Sequence, residues 1–179
     1  MKQRPPRYDL PKAAPGRLRL VQQFVNTTDH EHSRELLGTP AALEAWLADE
    51  GFEAGPVGPA ALRRAHAVRD GLHELVVTGR AGPALDEAAD RAKLTLDLEA
   101  GELRARAPGV DGALGTILAA VYDALHDGSW ERFKACRNCG WAFWDESRNR
   151  SAAWCSMQLC GNRLKVRRHR EKVTPRSSR

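Results

Sequence analysis

From residue 18 to residue 127 the apolar positions follow the helical period, with one interruption. Leu18 to Thr28 is rich in apolar residues and reads as a helix, although the Leu18/Leu20 alternation also fits a strand. Thr39-Pro40 opens a second helix, because a threonine hydroxyl caps free backbone N–H groups and proline needs no N–H partner in a first turn. Leu43, Trp46 and Leu47 then point inward, and Gly51 stops the helix. Gly55-Pro56-Val57-Gly58-Pro59 is a loop. A longer helix follows to about Thr78, with Leu62, Ala65, Val68, Leu72, Leu75 and Val76 on one face, and residues 83–93 form another. The period then changes to two. Leu94, Leu96 and Leu98 alternate with polar neighbours, as do Leu103 and Ala105 beyond Glu99-Ala100-Gly101, which predicts a β-hairpin. Residues 111–127 return to helix, with Asp111 as N-cap, Leu114, Ile117, Leu118, Val121, Tyr122 and Leu125 inward, and Gly128 as the end. The link through Trp130-Glu131-Arg132-Phe133 is too short for independent tumbling, so the C-terminal piece is expected to dock on this body.

The chain has 179 residues, 42% hydrophobic and 28% charged, which supplies a core and excludes wholesale disorder. No stretch approaches the roughly 20 apolar residues of a membrane span. The basic start Met1-Lys2-Gln3-Arg4-Pro5-Pro6 has no apolar run behind it, unlike a secretory signal, so a cytoplasmic protein is expected. Residues 1–16 hold four prolines and four basic residues and read as a flexible tail, as do residues 175–179 at the other end. Charge divides the molecule. Residues 131–179 carry 13 Lys and Arg against 4 Asp and Glu, a net +9. The rest carries 15 against 19, a net −4. An acidic body joined to a basic piece points to two tasks in one chain.

All four cysteines lie in the basic piece, as Cys136-x2-Cys139, fifteen residues, then Cys155-x4-Cys160. In a reducing compartment two close pairs suit a tetrahedral zinc rather than disulfides. Gly140 supplies the positive φ that a knuckle needs, and Lys134, Arg137 and Arg163 would favour the thiolates. Four thiolates leave no open coordination position, so the zinc is structural and stabilises a segment too small to bury much core. Trp141-Ala142-Phe143-Trp144 alternates as a short strand, and Asp145-Glu146-Ser147 suits a turn. Trp141, Phe143, Trp144 and Trp154 are expected to form the small core of this finger. Leu159 to Lys172 reads as a helix ended by Pro175, with Met157, Cys160 and Leu164 toward the metal and Asn162, Arg163, Val166, His169 and Arg170 outward. The plan is treble-clef-like.

Trp154-Cys155-Ser156-Met157-Gln158-Leu159-Cys160-Gly161-Asn162-Arg163 closely resembles the signature of the CGNR zinc finger family. Phe143-Trp144-Asp145-Glu146-Ser147-Arg148-Asn149-Arg150-Ser151 is similar to that family's upstream segment. Members place the finger after an ABATE-type domain, whose opening motif Phe24-Val25-Asn26-Thr27 resembles. Ala152-Ala153 stands where members often carry basic residues, and Gln23 where they carry an acid. The resemblance implies a bacterial, stress-linked transcriptional regulator, with RNA binding as the alternative use of the finger.

Lys and Arg on one helix neutralise phosphates. Arg163 has the geometry to read guanine and Asn162 to read adenine, with Lys165, Arg167, Arg168 and Arg170 as phosphate anchors and Arg148 and Arg150 as two more. Asn162 and Arg163 equally fit a bracing role at the metal, and Arg167 a pairing with Asp145 or Glu146. In the body, Asn26 and Thr27 are candidate pocket residues or buried caps, while Asp29-His30-Glu31-His32 reads as a solvated loop rather than a second metal site. No phosphate-cradling glycine loop and no nucleophile elbow occur, so no enzyme is expected. The expected architecture is α+β: a flexible tail (1–16), a mostly helical sensory or dimerising domain with a β-hairpin (17–129), and a small treble-clef-like zinc finger with four cysteine ligands (130–174). The expected partner is DNA before RNA, with a homodimer and a small-molecule effector as candidates. Docking to protein partners is the remaining alternative for the finger.

Overall fold

A computed structural model describes residues 12–162. Helix α1 (Leu18–Val25) leads to a two-residue antiparallel pair, β1 (Thr28–Asp29) and β2 (Arg34–Glu35). Helices α2 (Pro40–Asp49), α3 (Pro59–Thr78) and α4 (Pro83–Ala92) follow, then the hairpin β3 (Leu94–Asp97) and β4 (Glu102–Ala105). Helix α5 (Gly109–His126) and a 3-10 turn (Ser129–Arg132) lead into the finger, whose hairpin pairs β5 (Phe133–Ala135) with β6 (Ala142–Trp144). Thr39 caps α2 as expected, its hydroxyl accepting from Ala42 N at 3.2 Å. Among the described residues no helix is long and apolar enough to cross a membrane.

Helix α5 is the centre of the body, packed against α1, α3, α4 and β4. Its sequence suits crowding on several sides. A Cβ on Gly115 would lie 2.4 Å from Ala92 Cβ and 2.8 Å from Ala105 Cβ, so the crossing admits no methyl group. Ala113, Ala119, Ala120 and Ala124 are buried beside Leu114, Ile117, Leu118 and Val121. The small side chains thus hold the shared faces. Tyr122 and Leu125, expected inward, are left 49% and 50% exposed. Asp111 is not the N-cap either. Pro108 holds that position, and Asp111 accepts from Arg64 Nε and Nη2 at 2.9 and 3.0 Å, tying α5 to α3. The hairpin meets the core through Leu94, with Ala105 against Gly115 of α5, while Leu96 and Leu98 project at 59% and 84% exposure.

The alternation of β6 decides how finger and body meet. Side chains on a strand point to opposite faces. Phe133 and Ala142 are buried in the body's core with Trp144 packed against it, while Trp141 and Phe143 are buried with the cysteines. The expected aromatic core of the finger is therefore divided, and Trp144 belongs to the body. Polar groups complete the junction. Asn26, just past α1, accepts from Ala142 N at 2.8 Å and donates to Ala142 O at 2.9 Å, as a neighbouring strand would. Gln22, one helical turn earlier, also donates to Ala142 O at 3.1 Å. From α3, His73 Nε2 donates to Gly140 O at 2.9 Å.

Residues 12–14, expected within a flexible tail, also belong to this junction. Lys12 O accepts from Trp144 N at 2.9 Å, and its ammonium donates to Trp154 O at 2.6 Å while lying 4.8 Å from the Phe143 ring centroid. Ala14 is buried, its N–H donating to Gln22 Oε1 at 2.7 Å.

Replacing Asn26 by Ala strips the Ala142 N–H of its partner in a buried place. We expect N26A to lose about 2–3 kcal/mol of stability, because an orphaned buried polar group costs about 1–3 kcal/mol beside the lost bonds. Urea denaturation of the metal-loaded chain measures this; an unchanged midpoint would show that the clasp contributes nothing.

Candidate metal centre

The first cysteine pair sits on the turn between β5 and β6. Cys136 N donates to Trp141 O and Gly140 N to Cys136 O, both at 2.9 Å. This closes a tight knuckle in which Gly140 has φ +74°, as its sequence position predicts. The second pair arrives on a separate segment. Arg137 N donates to Ala153 O at 3.1 Å, which aligns that segment beside the knuckle. A π-helical turn (Met157–Gly161) carries Cys160, with Cys160 N and Gly161 N both donating to Ser156 O.

All four cysteines are buried, and their sulfurs lie within 4.8 Å of one another. The Cys139–Cys155, Cys155–Cys160 and Cys160–Cys139 separations are 3.7, 3.6 and 3.6 Å. Sulfurs in a disulfide stand about 2.05 Å apart. A tetrahedron of about 2.3 Å zinc–sulfur bonds has edges of about 3.8 Å, which these distances match.

The thiols also interact in a way that calls for a cation. Hydrogen bonds from Cys139 and Cys155 hold the Cys136 thiol far below its usual range. Bonding to Cys136 pushes Cys139 up to about 12, and Cys155 is pushed up as well, first by Cys136 and then by Cys139. One thiolate suppresses the next, and a central divalent ion lets them deprotonate together. Zinc fits this donor set, and four thiolates would hold it as a closed structural centre.

Asn138 Nδ2 lies 3.6 Å from Cys160 Sγ and donates toward it. Asn162, which fits bracing and base reading equally by sequence, is exposed. Only the polar residue inside the Cys-x2-Cys turn could have signalled Asn138. Met157, expected toward the metal, is 49% exposed, and its sulfur would lie 2.7 Å from a Cβ on Gly161. Lys134 was expected to support the thiolates. It pairs instead with the buried Asp145, Nζ to Oδ2 at 2.7 Å, and also donates to Arg150 O.

Asp145 organises the turn that follows β6. Its oxygens accept from Ser147 N at 2.9 Å and Ala152 N at 3.0 Å as well as from Lys134. Burial pushes the carboxyl up, but these bonds outweigh it and hold Asp145 well below the usual carboxylate range. The turn it shapes presents Arg148, which is exposed, and Arg150, which has φ +50° and pairs with Glu131 Oε2. Arg163, Lys165, Arg167, Arg168 and Arg170, with most of the expected Leu159–Lys172 helix, lie outside the described residues.

Asn26 and Thr27 are both buried, with side chains bonded as the capping alternative describes. Asn26 is spent on Ala142, and Thr27 Oγ1 donates to Phe24 O at 2.8 Å while accepting from Arg69 at 3.4 Å. Arg69 itself is buried and pairs with Glu35 at 2.8 Å, a link between α3 and β2 that no periodicity signals. The Asp29–His32 loop is not simply solvated. Asp29 is buried and bonds His32 Nδ1 at 2.7 Å, and the His30 ring lies 5.2 Å from that of His73.

We expect one zinc per chain by elemental analysis, lost in Cys155→Ser. Because Phe133 and Ala142 share the body's core, removing the metal should lower the melting temperature in a single transition; two separate transitions would show independent modules. Asp145→Asn should cost about 2–3 kcal/mol by breaking a buried pair whose lysine end is partly solvated. A carboxyl whose folded pKa is depressed contributes fully above its unfolded value of about 3.9 and loses that contribution as pH falls below it. The difference between wild type and D145N in denaturant titrations should therefore be constant from about pH 5 to 8. A difference that varies across that range would refute the assignment.

Residues 132–173 match the CGNR zinc finger, and residues 18–128 match ABATE, described as "putative stress-induced transcription regulator". A comparison with curated proteins finds no match. With the larger match covering most of the body and the smaller one covering all four sulfur ligands, the chain belongs to the ABATE family and carries a CGNR zinc finger at its C-terminal end.

Proposed function

We propose that this protein is a zinc-dependent, DNA-binding transcriptional regulator whose finger presents a cationic surface to the duplex and whose body senses or dimerises. The observation that carries the reading is the shared core of finger and body. Phe133 and Ala142 are buried with the body's apolar residues, so the Arg148 turn and the last cysteine hold a set position on it. A base-reading segment needs such support, since a contact misplaced by about an ångström is lost. The net +9 of residues 131–179 supplies the attraction to a polyanion. In this reading Arg148, Arg150, Lys165, Arg167, Arg168 and Arg170 contact phosphates, and Asn162 and Arg163 approach base edges. The role is non-enzymatic.

Mobility shift with genomic fragments tests the reading. We expect sequence-selective binding with a log K against log salt slope near −5, for about six phosphates. The triple variant Arg148→Glu, Lys165→Glu, Arg168→Glu should abolish it. Equal affinity for scrambled duplex would refute a specific regulator, and recovery of transcripts rather than promoter DNA after crosslinking in cells would reassign the finger to RNA.

A further inference from the structure

Where the end of α3 meets the finger there is an open cleft of about 530 Å³. Val76 and Val77 line it from the helix, and Lys134, Arg137, Arg150 and Ser151 from the finger. No carboxylate is among the lining residues. The three cations are not equivalent. Lys134 is neutralised by buried Asp145. Arg150 pairs with Glu131, but the two side chains are 50% and 65% exposed, and a pair so solvated is readily exchanged for a stronger anion. Arg137 is exposed and makes no ion pair with a described residue. Val77 is 58% exposed, an apolar surface directly beside this charge.

We propose that the cleft receives one unit of a nucleic-acid backbone, its phosphodiester against Arg137 and Arg150 and its sugar against Val76 and Val77. The proposal rests on the nucleic-acid reading above and extends it to residues of the body. A free inorganic anion would make no use of the valines, and an apolar ligand none of the arginines. A sugar phosphate uses both. The cleft is also continuous with the turn that bears Arg148, since Arg150 and Ser151 lie in both. Contacts of this kind set orientation and carry no base information. They are expected to strengthen every sequence equally.

Fluorescence anisotropy with the full-length, zinc-loaded protein and labelled duplexes of about 20 bp, specific and scrambled, tests this. Arg137→Gln should weaken binding to both duplexes about 3- to 10-fold and flatten the salt slope by about 0.9, the release expected for one phosphate, while Arg137→Lys keeps the slope. Val77→Asp, from the other element, should weaken both about 5- to 20-fold. Arg104→Gln, on β4 outside the cleft, should change neither. Zinc content and melting temperature establish folding, and either cleft variant suffices if the other misfolds. If Arg137→Gln and Val77→Asp bind as wild type with an unchanged slope while the triple variant of the finger does not bind, the cleft proposal is overturned and the regulator reading stands. If the wild type binds neither duplex nor single strands of the same sequence, both fall.

Discussion

Four sulfurs gathered within 4.8 Å of one another cannot all carry charge unless a cation lies among them, and the rest of the finger follows from that constraint. The knuckle turn, the segment aligned beside it through Arg137 N and Ala153 O, and the π-helical turn share only the small cluster that Trp141, Phe143 and Trp154 form with the cysteines. A segment of this size lacks the burial that drives folding in larger domains. The metal supplies the missing free energy because the ligands must ionise and converge at once. Asn138 and the Gly140 φ are refinements of the same event: one donates to a sulfur, and the other lets the turn close over the pair.

The finger is nevertheless not a bead on a string. Its second strand has one face for the sulfurs and one for the body, so a single run of alternating side chains welds two cores together. The Asn26 amide then satisfies both backbone groups of Ala142, which an exposed strand edge would leave to water. Lys12, Gln22 and His73 close the perimeter from two helices and the stretch of chain before α1. The junction thereby gives Asn26, just past α1, a mechanical role in holding the finger on the body.

Much of this was legible in the residues. The spacing of Cys136, Cys139, Cys155 and Cys160 has few uses other than a tetrahedral metal, and the positive φ at Gly140 follows from it. Helices α2 to α4 and the β3–β4 hairpin announce themselves through period, cap and stop. The failures share a cause. Tyr122 and Leu125 were placed inward because large apolar groups usually are, yet α5 is enclosed on the faces where Gly115 and alanines allow close approach. Lys134 looked like a partner for nearby sulfur, and Asp145 sits eleven positions away but diagonally across the hairpin.

Local rules thus determined which segments are helical, where they begin and end, and that the four cysteines form one metal-binding set, since each depends on residues close in the chain or on the chemistry of a single donor type. Only the tertiary structure decided that Trp144 leaves the finger for the body and that Asn26 clasps Ala142, 116 positions away. Period and composition report how often a side chain should be covered, whereas the identity of the partner that covers it depends on how separately formed elements dock, and no short-range pattern encodes that.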